Sequence, residues 1–317
     1  MQLRPLGRSG LSVSPLCLGG NVFGWTVDEA TSHALLDRYA DAGGNFIDTA
    51  NMYSAWVPGH AGGESESVIG RWLRQSGGRR DRMIIATKVG MEMPGLGKGL
   101  TRAQIERGAE DSLRRLEVDR IDLYYAHEDD VKTPLDETLA AFDRLVRDGK
   151  VRAIGASNYS AERLDAAVAA STAAGGARYE CLQPLYNLMD RAGFEDQLAA
   201  TCARHEIGVA TYFSLASGFL SGKYRRAEDA AGRARAGGVK RHFNERGFRV
   251  LDALHATAER LGSRPPTVAL AWLMAQPAVT SAIASATSTV QLDDLLNAMT
   301  LQLDAAALQQ LADASAG

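Results

Sequence analysis

The sequence predicts an α/β protein of the (β/α)8 barrel class, and three observations carry that expectation. Eight short strand-like runs alternate with amphipathic helical patterns along the whole chain. The alternation covers about 300 residues, close to the ~250 typical of eight parallel strands closed into a barrel. The glycine pattern of an open dinucleotide-binding sheet, Gly-x-Gly-x-x-Gly, is missing from the first strand–helix turn, where Leu18-Gly19-Gly20-Asn21 stands. The expected architecture is one domain, residues 1–317, a TIM barrel with an N-terminal β-hairpin and a long basic loop between its seventh and eighth strands.

The elements follow in order. Leu3-Arg4-Pro5-Leu6 and Leu11-Ser12-Val13 flank a glycine-bounded turn, Gly7-Arg8-Ser9-Gly10, and read as a hairpin. The barrel runs are Pro15–Leu18, Asn45–Asp48, Met83–Lys88, Ile121–His127, Val151–Ser157, Cys181–Pro184, Gly208–Tyr212 and Ala282–Ser285, several of them β-branched or aromatic and all too short for helices. Between them, Thr26-Val27-Asp28-Glu29 reads as a capping box opening a helix that stops at Gly43-Gly44. Thr101-Arg102-Ala103-Gln104 reads as a second, followed by Ile105, Ala109, Leu113 and Leu116 on one face. Thr133-Pro134 gives an N-cap and a first-turn proline, before a stripe of Leu135, Leu139, Phe142 and Val146 that Gly149 ends. Ser160 caps the next helix. Residues 223–249 form the long interruption, with Lys223, Arg225, Arg226, Arg233, Arg235, Lys240, Arg241, Arg246 and Arg249 against Glu228, Asp229 and Glu245. Such a loop is either solvated or a lid drawn to phosphate groups.

Composition narrows the partners. With 45% hydrophobic and 23% charged residues and a net charge of -3, the chain is ordinary for a globular protein and lacks the basic excess that nucleic acid demands. No apolar run approaches the roughly 18 residues of a spanning helix. Met1-Gln2-Leu3-Arg4-Pro5-Leu6 lacks a secretory apolar core. Cys17, Cys181 and Cys202 are odd in number, far apart and without zinc spacing. These features predict a cytoplasmic protein with reduced thiols, no metal, and a small molecule as its partner.

Asn45-Phe46-Ile47-Asp48-Thr49-Ala50-Asn51-Met52-Tyr53 is the stretch around which the chemistry gathers. Asp48 ends a predicted strand, Tyr53 follows in the loop, and Lys88 and His127 end two further strands. The carboxyl rim of such a barrel is where active sites are built. A carbonyl that takes up a hydride becomes an alkoxide and needs a proton, which a tyrosine can supply if its pKa, ordinarily near ~10, is tuned. Lowering it by about three units takes roughly 4 kcal/mol. A lysine cation at ~4 Å and an effective dielectric of ~20 supplies about that much. Tyr53 is therefore expected to act as the acid, with Lys88 lowering its pKa, Asp48 holding Lys88, and a neutral His127 donating to the substrate oxygen.

These residues resemble the aldo-keto reductase family over about residues 3–300. The resemblance is carried by Asp48-Thr49-Ala50-Asn51-Met52-Tyr53, Gly63-Glu64-Ser65-Glu66, Ala86-Thr87-Lys88, Ile121-Asp122-Leu123-Tyr124-Tyr125-Ala126-His127, Gly155-Ala156-Ser157-Asn158, Gln183-Pro184-Leu185-Tyr186-Asn187 and Gly218-Phe219-Leu220-Ser221-Gly222-Lys223-Tyr224. It implies an NAD(P)H-dependent oxidoreductase interconverting a carbonyl and its alcohol, with Asp48, Tyr53, Lys88 and His127 as its tetrad and Asp48 also against the cofactor. By the same resemblance Ser157, Asn158 and Gln183 would hold the nicotinamide carboxamide and Tyr212 would stack on the ring. Leu215 to Lys223, Gly218 included, would follow the pyrophosphate, and Ser285, Ser288 and Gln291 would surround the adenosine. NADP(H) is implied, with NAD(H) as the alternative, because Thr287 stands where relatives carry an arginine for the 2′-phosphate and Leu295 where they often carry asparagine. Trp25 and Trp56, with Asn21, Phe23 and His127, would select the substrate. Two other readings stay open at this point: a redox-sensing subunit that binds cofactor for a partner, and a Schiff-base aldolase using Lys88.

Overall fold

The computed structural model describes residues 2–75, 77–224, 226–230 and 236–316, so Arg225, Arg233 and Arg235 of the basic loop lie outside the described residues. The hairpin pairs β1 (Arg4–Pro5) antiparallel with β2 (Ser12–Val13), and Gly7 and Gly10 supply the positive φ angles of its turn. Eight strands follow: β3 (Leu16–Gly19), β4 (Phe46–Asp48), β5 (Ile84–Val89), β6 (Ile121–Ala126), β7 (Val151–Ser157), β8 (Tyr179–Gln183), β9 (Gly208–Thr211) and β10 (Ser281–Ala284). All pair in parallel and close in sequence order, β10 returning to β3. A (β/α)8 barrel with an N-terminal hairpin is therefore the fold.

Strands buried on both faces explain the near-continuous apolar runs read from the sequence. One face packs on the helices, through residues such as Ile47, Ile85, Tyr124 and Leu182. The other fills the barrel interior with Cys17, Phe46, Ala86, Leu123, Tyr125, Cys181 and Ile283, and Leu6, Leu11 and Val13 of the hairpin join that cluster. Gly155 on β7 is needed there, because a Cβ would sit 2.6 Å from the Tyr125 ring and 2.8 Å from the Cys181 carbonyl.

Three local expectations are corrected. Helix Glu29–Asp41 is capped by Asp28, whose carboxylate accepts from the Thr31 amide, so the box expected at Thr26 does not form. Helix Leu135–Arg147 begins after Pro134 with no side-chain cap; Thr133 instead donates its hydroxyl to Asp130 at 2.6 Å. The interruption at 223–249 ends early, since Asn244 caps helix Glu245–Arg260. Arg246 and Arg249 sit on that helix and donate to the Ser315, Ala314 and Ala316 carbonyls, while Arg241 pairs with Asp190 at 3.0 Å. These three arginines are engaged within the fold, which leaves them poorly placed as a phosphate lid. The capping box at Thr101–Gln104 and the cap at Ser160 form as expected.

Candidate active site

The barrel brings Asp48, Tyr53, Lys88 and His127 to one rim. Asp48 is the last residue of β4, Lys88 the penultimate of β5, and His127 follows β6. Hydrogen bonds behind them hold the strand ends in place. Thr49 meets Ser65 at 2.8 Å, Ser65 donates to the Gly20 carbonyl at 2.8 Å, and Thr87 donates to the buried Glu66 at 2.5 Å, which Arg115 also holds.

Lys88 is fully buried and its ammonium uses all three hydrogens: on Asp48 Oδ2 at 2.6 Å, on the Thr49 carbonyl at 2.8 Å and on the Tyr53 hydroxyl oxygen at 2.9 Å. The Tyr53 oxygen is thus an acceptor toward Lys88. Its own proton has Asp48 Oδ2 only at 3.4 Å, a long and weak bond. Asp48 is satisfied on its other oxygen by Gln183 Nε2 at 2.8 Å. His127 is buried with Nδ1 unpartnered, and its ring stands edge-on to Tyr53 at 6.2 Å.

The electrostatics correct one expectation. Burial is the largest influence on Tyr53 and pushes its pKa up to about 12; Lys88 opposes this and Asp48 supports it. The lysine is present at the distance assumed, but the carboxylate beside it offsets much of its field, and desolvation of a phenolate outweighs the remainder. Tyr53 is thus protonated at neutral pH. For Lys88, burial alone pulls the ammonium down, yet Asp48 and Tyr53 together outweigh it and the net shift is upward. His127 is held well below the ordinary imidazole range, first by burial and then by the Lys88 charge.

The last shift has a consequence for stability. An unfolded imidazole takes a proton below its reference value of 6.5, whereas folded His127 does not. Protons therefore favour unfolding, and stability falls as pH drops below that value, by up to about 1.4 kcal/mol per pH unit for one such group. Urea unfolding of the wild type and of His127→Gln between neutrality and mild acid is expected to show the variant losing less stability. His242, also lowered by burial, is common to both proteins and cancels.

The residues expected around a nicotinamide lie on neighbouring strand ends. Asn158, at φ 56°, donates from Nδ2 to the His127 carbonyl at 2.9 Å and accepts from the Tyr212 hydroxyl at 2.8 Å. Ser157 donates to the Gln183 carbonyl at 2.9 Å. Leu215 and Gly218 lie in a tight turn where Ala216, Ser217 and Gly218 have successive positive φ angles of 48°, 58° and 95°. Five of the seven non-glycine residues with positive φ among the described residues, Ser54, Asn158, Phe213, Ala216 and Ser217, adjoin this rim, which is where backbone strain collects at functional sites. Lys223 lies over the Tyr224 ring, its ammonium 5.1 Å from the centroid.

Ser285 donates to Asn21 at 2.5 Å, Ser288 caps helix Thr289–Ala298, and Gln291 accepts from the Thr287 amide and hydroxyl. Leu295 is buried in the core. Trp25 and Trp56 meet edge-to-face at 5.4 Å, and Trp56 meets Tyr53 at 6.1 Å. A cavity of about 520 Å³ touches Asn158 and Tyr212 but none of the four rim residues.

The sequence pattern of the Aldo/keto reductase family matches residues 15–316. The chain belongs to this family. Relatives include the uncharacterized oxidoreductase YrpG of Bacillus subtilis (strain 168), 37% identical over 324 residues, covering 99% of this chain and 95% of the relative. The L-glyceraldehyde 3-phosphate reductase of Escherichia coli (strain K12) is 31% identical over 319 residues, covering 94% and 88%. A probable voltage-gated potassium channel subunit beta of Arabidopsis thaliana is 32% identical over 306 residues, covering 94% and 91%. Family membership supports carbonyl reduction in general terms. Among the described residues no helix is long and apolar enough to cross a membrane, and no group of three His, Cys, Asp or Glu residues could hold a metal.

Two features of this rim were not legible in the sequence. The Thr49 carbonyl fills the third position on Lys88, and a main-chain acceptor carries no residue signature. The turn at Ala216-Ser217 bends through backbone angles that alanine and serine rarely adopt, so their identity concealed it.

Proposed function

We propose that residues 1–317 form a single NAD(P)H-dependent oxidoreductase unit that interconverts an aldehyde or ketone and its alcohol, with Tyr53 as the general acid. The observation that carries this reading is the saturated Lys88 ammonium, which leaves the Tyr53 hydroxyl oxygen as acceptor and its proton held only by the long contact to Asp48. A nicotinamide nucleotide supplies the hydride when bound. The fit rests on the positive-φ turn at Ala216–Gly218, on Tyr212 tied to Asn158, and on the unpartnered Nδ1 of His127.

In reduction, His127, kept neutral by burial, donates to the carbonyl oxygen and orients it. Tyr53 passes its proton to that oxygen, and the Lys88 ammonium offsets the charge left on the phenol oxygen. Asp48 keeps Lys88 protonated and holds Gln183 in line beside Ser157 and Asn158, which would carry the carboxamide. Leu215, Gly218 and Lys223 would follow the pyrophosphate, and Ser285, Ser288 and Gln291 the adenosine. A Schiff-base role for Lys88 is disfavoured, because an amine nucleophile must be unprotonated and this one is raised, buried and bonded three times. The redox-sensing reading draws on the names of the channel-subunit relatives. It predicts stoichiometric cofactor oxidation without turnover.

The test is steady-state oxidation of NADPH and of NADH, followed by absorbance over a carbonyl panel. Sustained turnover supports the reading, and single-turnover consumption with every carbonyl removes it. Thr287 is exposed at the amino end of helix Thr289–Ala298, so Thr287→Arg places a guanidinium where a 2′-phosphate would arrive. Fluorescence-quenching titration is expected to show NADPH binding tightened about tenfold, roughly 1.4 kcal/mol, and NADH binding little changed.

A further inference from the structure

We infer that the cavity beside Tyr212 is a second ligand site, suited to an uncharged aromatic molecule, and that its occupant weakens nucleotide binding. The cavity measures about 520 Å³, within the range of roughly 300–1,000 Å³ typical of small-molecule sites. It lies between the amino end of helix Ala161–Ala174 and the segment that follows β8, and helix Glu245–Arg260 contributes Arg246. Asp48, Tyr53, Lys88, His127 and the two loop tryptophans are absent from its wall. So are Ser157, Gln183, Leu215 and Gly218, which are expected along the nucleotide. Asn158 and Tyr212 are the residues it shares with that expected path.

The wall selects against charge. Arg191 is engaged with the Glu195 carboxylate, the Ala312 carbonyl and the Ser315 hydroxyl. Arg246 donates to the Met189 and Ser315 carbonyls, and Asp190 accepts from Arg241 and Asn187. An ionic guest would have to break one of these ties or lose its hydration unpaired. The rest of the wall is mainly apolar, with Leu182, Leu185, Met189 and Leu198 beside the Tyr159 and Tyr212 rings. A thioether and two phenol rings around one space favour a flat aromatic guest. Hydrogen bonds hold the space open. Buried Asn187 accepts from the Met189 and Asp190 amides at 2.7 and 3.0 Å and donates to the Phe213 carbonyl at 3.0 Å. That fixes the segment after β8 against the chain leaving β9.

The coupling to nucleotide follows from Asn158, and it rests on the cofactor reading proposed above. Asn158 Nδ2 donates to the His127 carbonyl at 2.9 Å and to Ser157 Oγ at 3.2 Å, and Oδ1 accepts from the Tyr212 hydroxyl at 2.8 Å. Both amide hydrogens and the amide oxygen are thus engaged within the protein. A nicotinamide carboxamide drawn to Asn158 competes with these partners. A guest packed against Tyr212 and Asn158 in this arrangement holds the two together and opposes the exchange. Coupling between two binding sites is reciprocal, so the nucleotide weakens the guest by the same factor.

The experiment titrates the full chain with N-phenyl-1-naphthylamine, a neutral aromatic amine that has no carbonyl and fluoresces in apolar surroundings. Saturable binding is expected, and Gly193→Phe should weaken it about tenfold or more by filling the space. Gly193 lines the cavity and a Cβ there meets no atom within 4 Å, so the ring enters while the fold and any carbonyl turnover stay unchanged. Ala192→Phe takes its place should circular dichroism show Gly193→Phe misfolded. Saturating amine should raise the apparent Kd for NADPH about tenfold and then level off. NADPH should weaken the amine to the same extent. A Kd for NADPH that climbs without limit places the amine in the nucleotide cleft and overturns the inference. So does amine affinity unmoved in the folded variant, an absence of saturable binding, or a Kd for NADPH that is unchanged or lowered. If NADPH does not bind at all, the cofactor reading fails and the coupling with it, while the amine titrations of wild type and variant still decide the site.

Discussion

Tyr53→Phe is expected to lower kcat by about 10²–10⁴-fold, the range spanned by loss of a positioned general acid. The substitution removes one oxygen and leaves the ring that contacts Trp56 and His127. Lys88 then has two partners in place of three, Asp48 and the Thr49 carbonyl, and both are anionic or strongly polar. The fold and the nucleotide cleft are therefore expected to persist. NADPH affinity, read by fluorescence quenching, should stay within a few-fold while turnover collapses. Retention of the wild-type rate would remove Tyr53 from the mechanism. The raised pKa of about 12 adds a second readout. Direct ultraviolet titration, taken as the difference from Tyr53→Phe, should show the Tyr53 tyrosinate signal only above the ordinary tyrosine value of about 10.

Lys88→Met is the second large effect. Removing one partner of a buried ion pair strands the other, at a cost of about 3–5 kcal/mol. Here the stranded group is Asp48, 1% exposed, with only Gln183 and a long contact to Tyr53 remaining. Urea unfolding should show the midpoint falling with little change in slope, and activity should fall with it. Asp48→Asn combined with Lys88→Met should recover much of the stability, because no charge is left unpaired, and should recover no activity. That split separates the structural contribution of the pair from its chemical one.

The match between sequence and structure was uneven in a way that follows from distance along the chain. Helix caps at Thr101 and Ser160 depend on atoms three residues apart and were readable. The caps expected at Thr26 and Thr133 failed because a competing group lay equally near: Asp28 captured the helix start, and Asp130 captured the Thr133 hydroxyl. The basic loop stood open between a solvated segment and a lid, because charge alone does not show engagement. Arg246 and Arg249 meet carbonyls about 65 residues further on, 69 and 65 respectively, which no local pattern encodes. The sign of the Tyr53 shift was misjudged for a related reason. A pairwise field can be estimated from residue types, whereas desolvation depends on everything that surrounds the phenol.

By itself the sequence determined the periodicity of alternating strands and helices, the absence of a spanning helix among its apolar runs, and the kinds of group that end each strand. Those are properties of neighbours in the chain, written in spacing and polarity. Only the closed barrel decided that Asp48, Lys88, Tyr53 and Gln183, as much as 135 residues apart, share one hydrogen-bonded cluster, and that burial rather than Lys88 governs the phenol. Parallel register aligns the carboxyl ends of strands that are remote in sequence, and the exclusion of water at that rim sets the energy of every charge placed there.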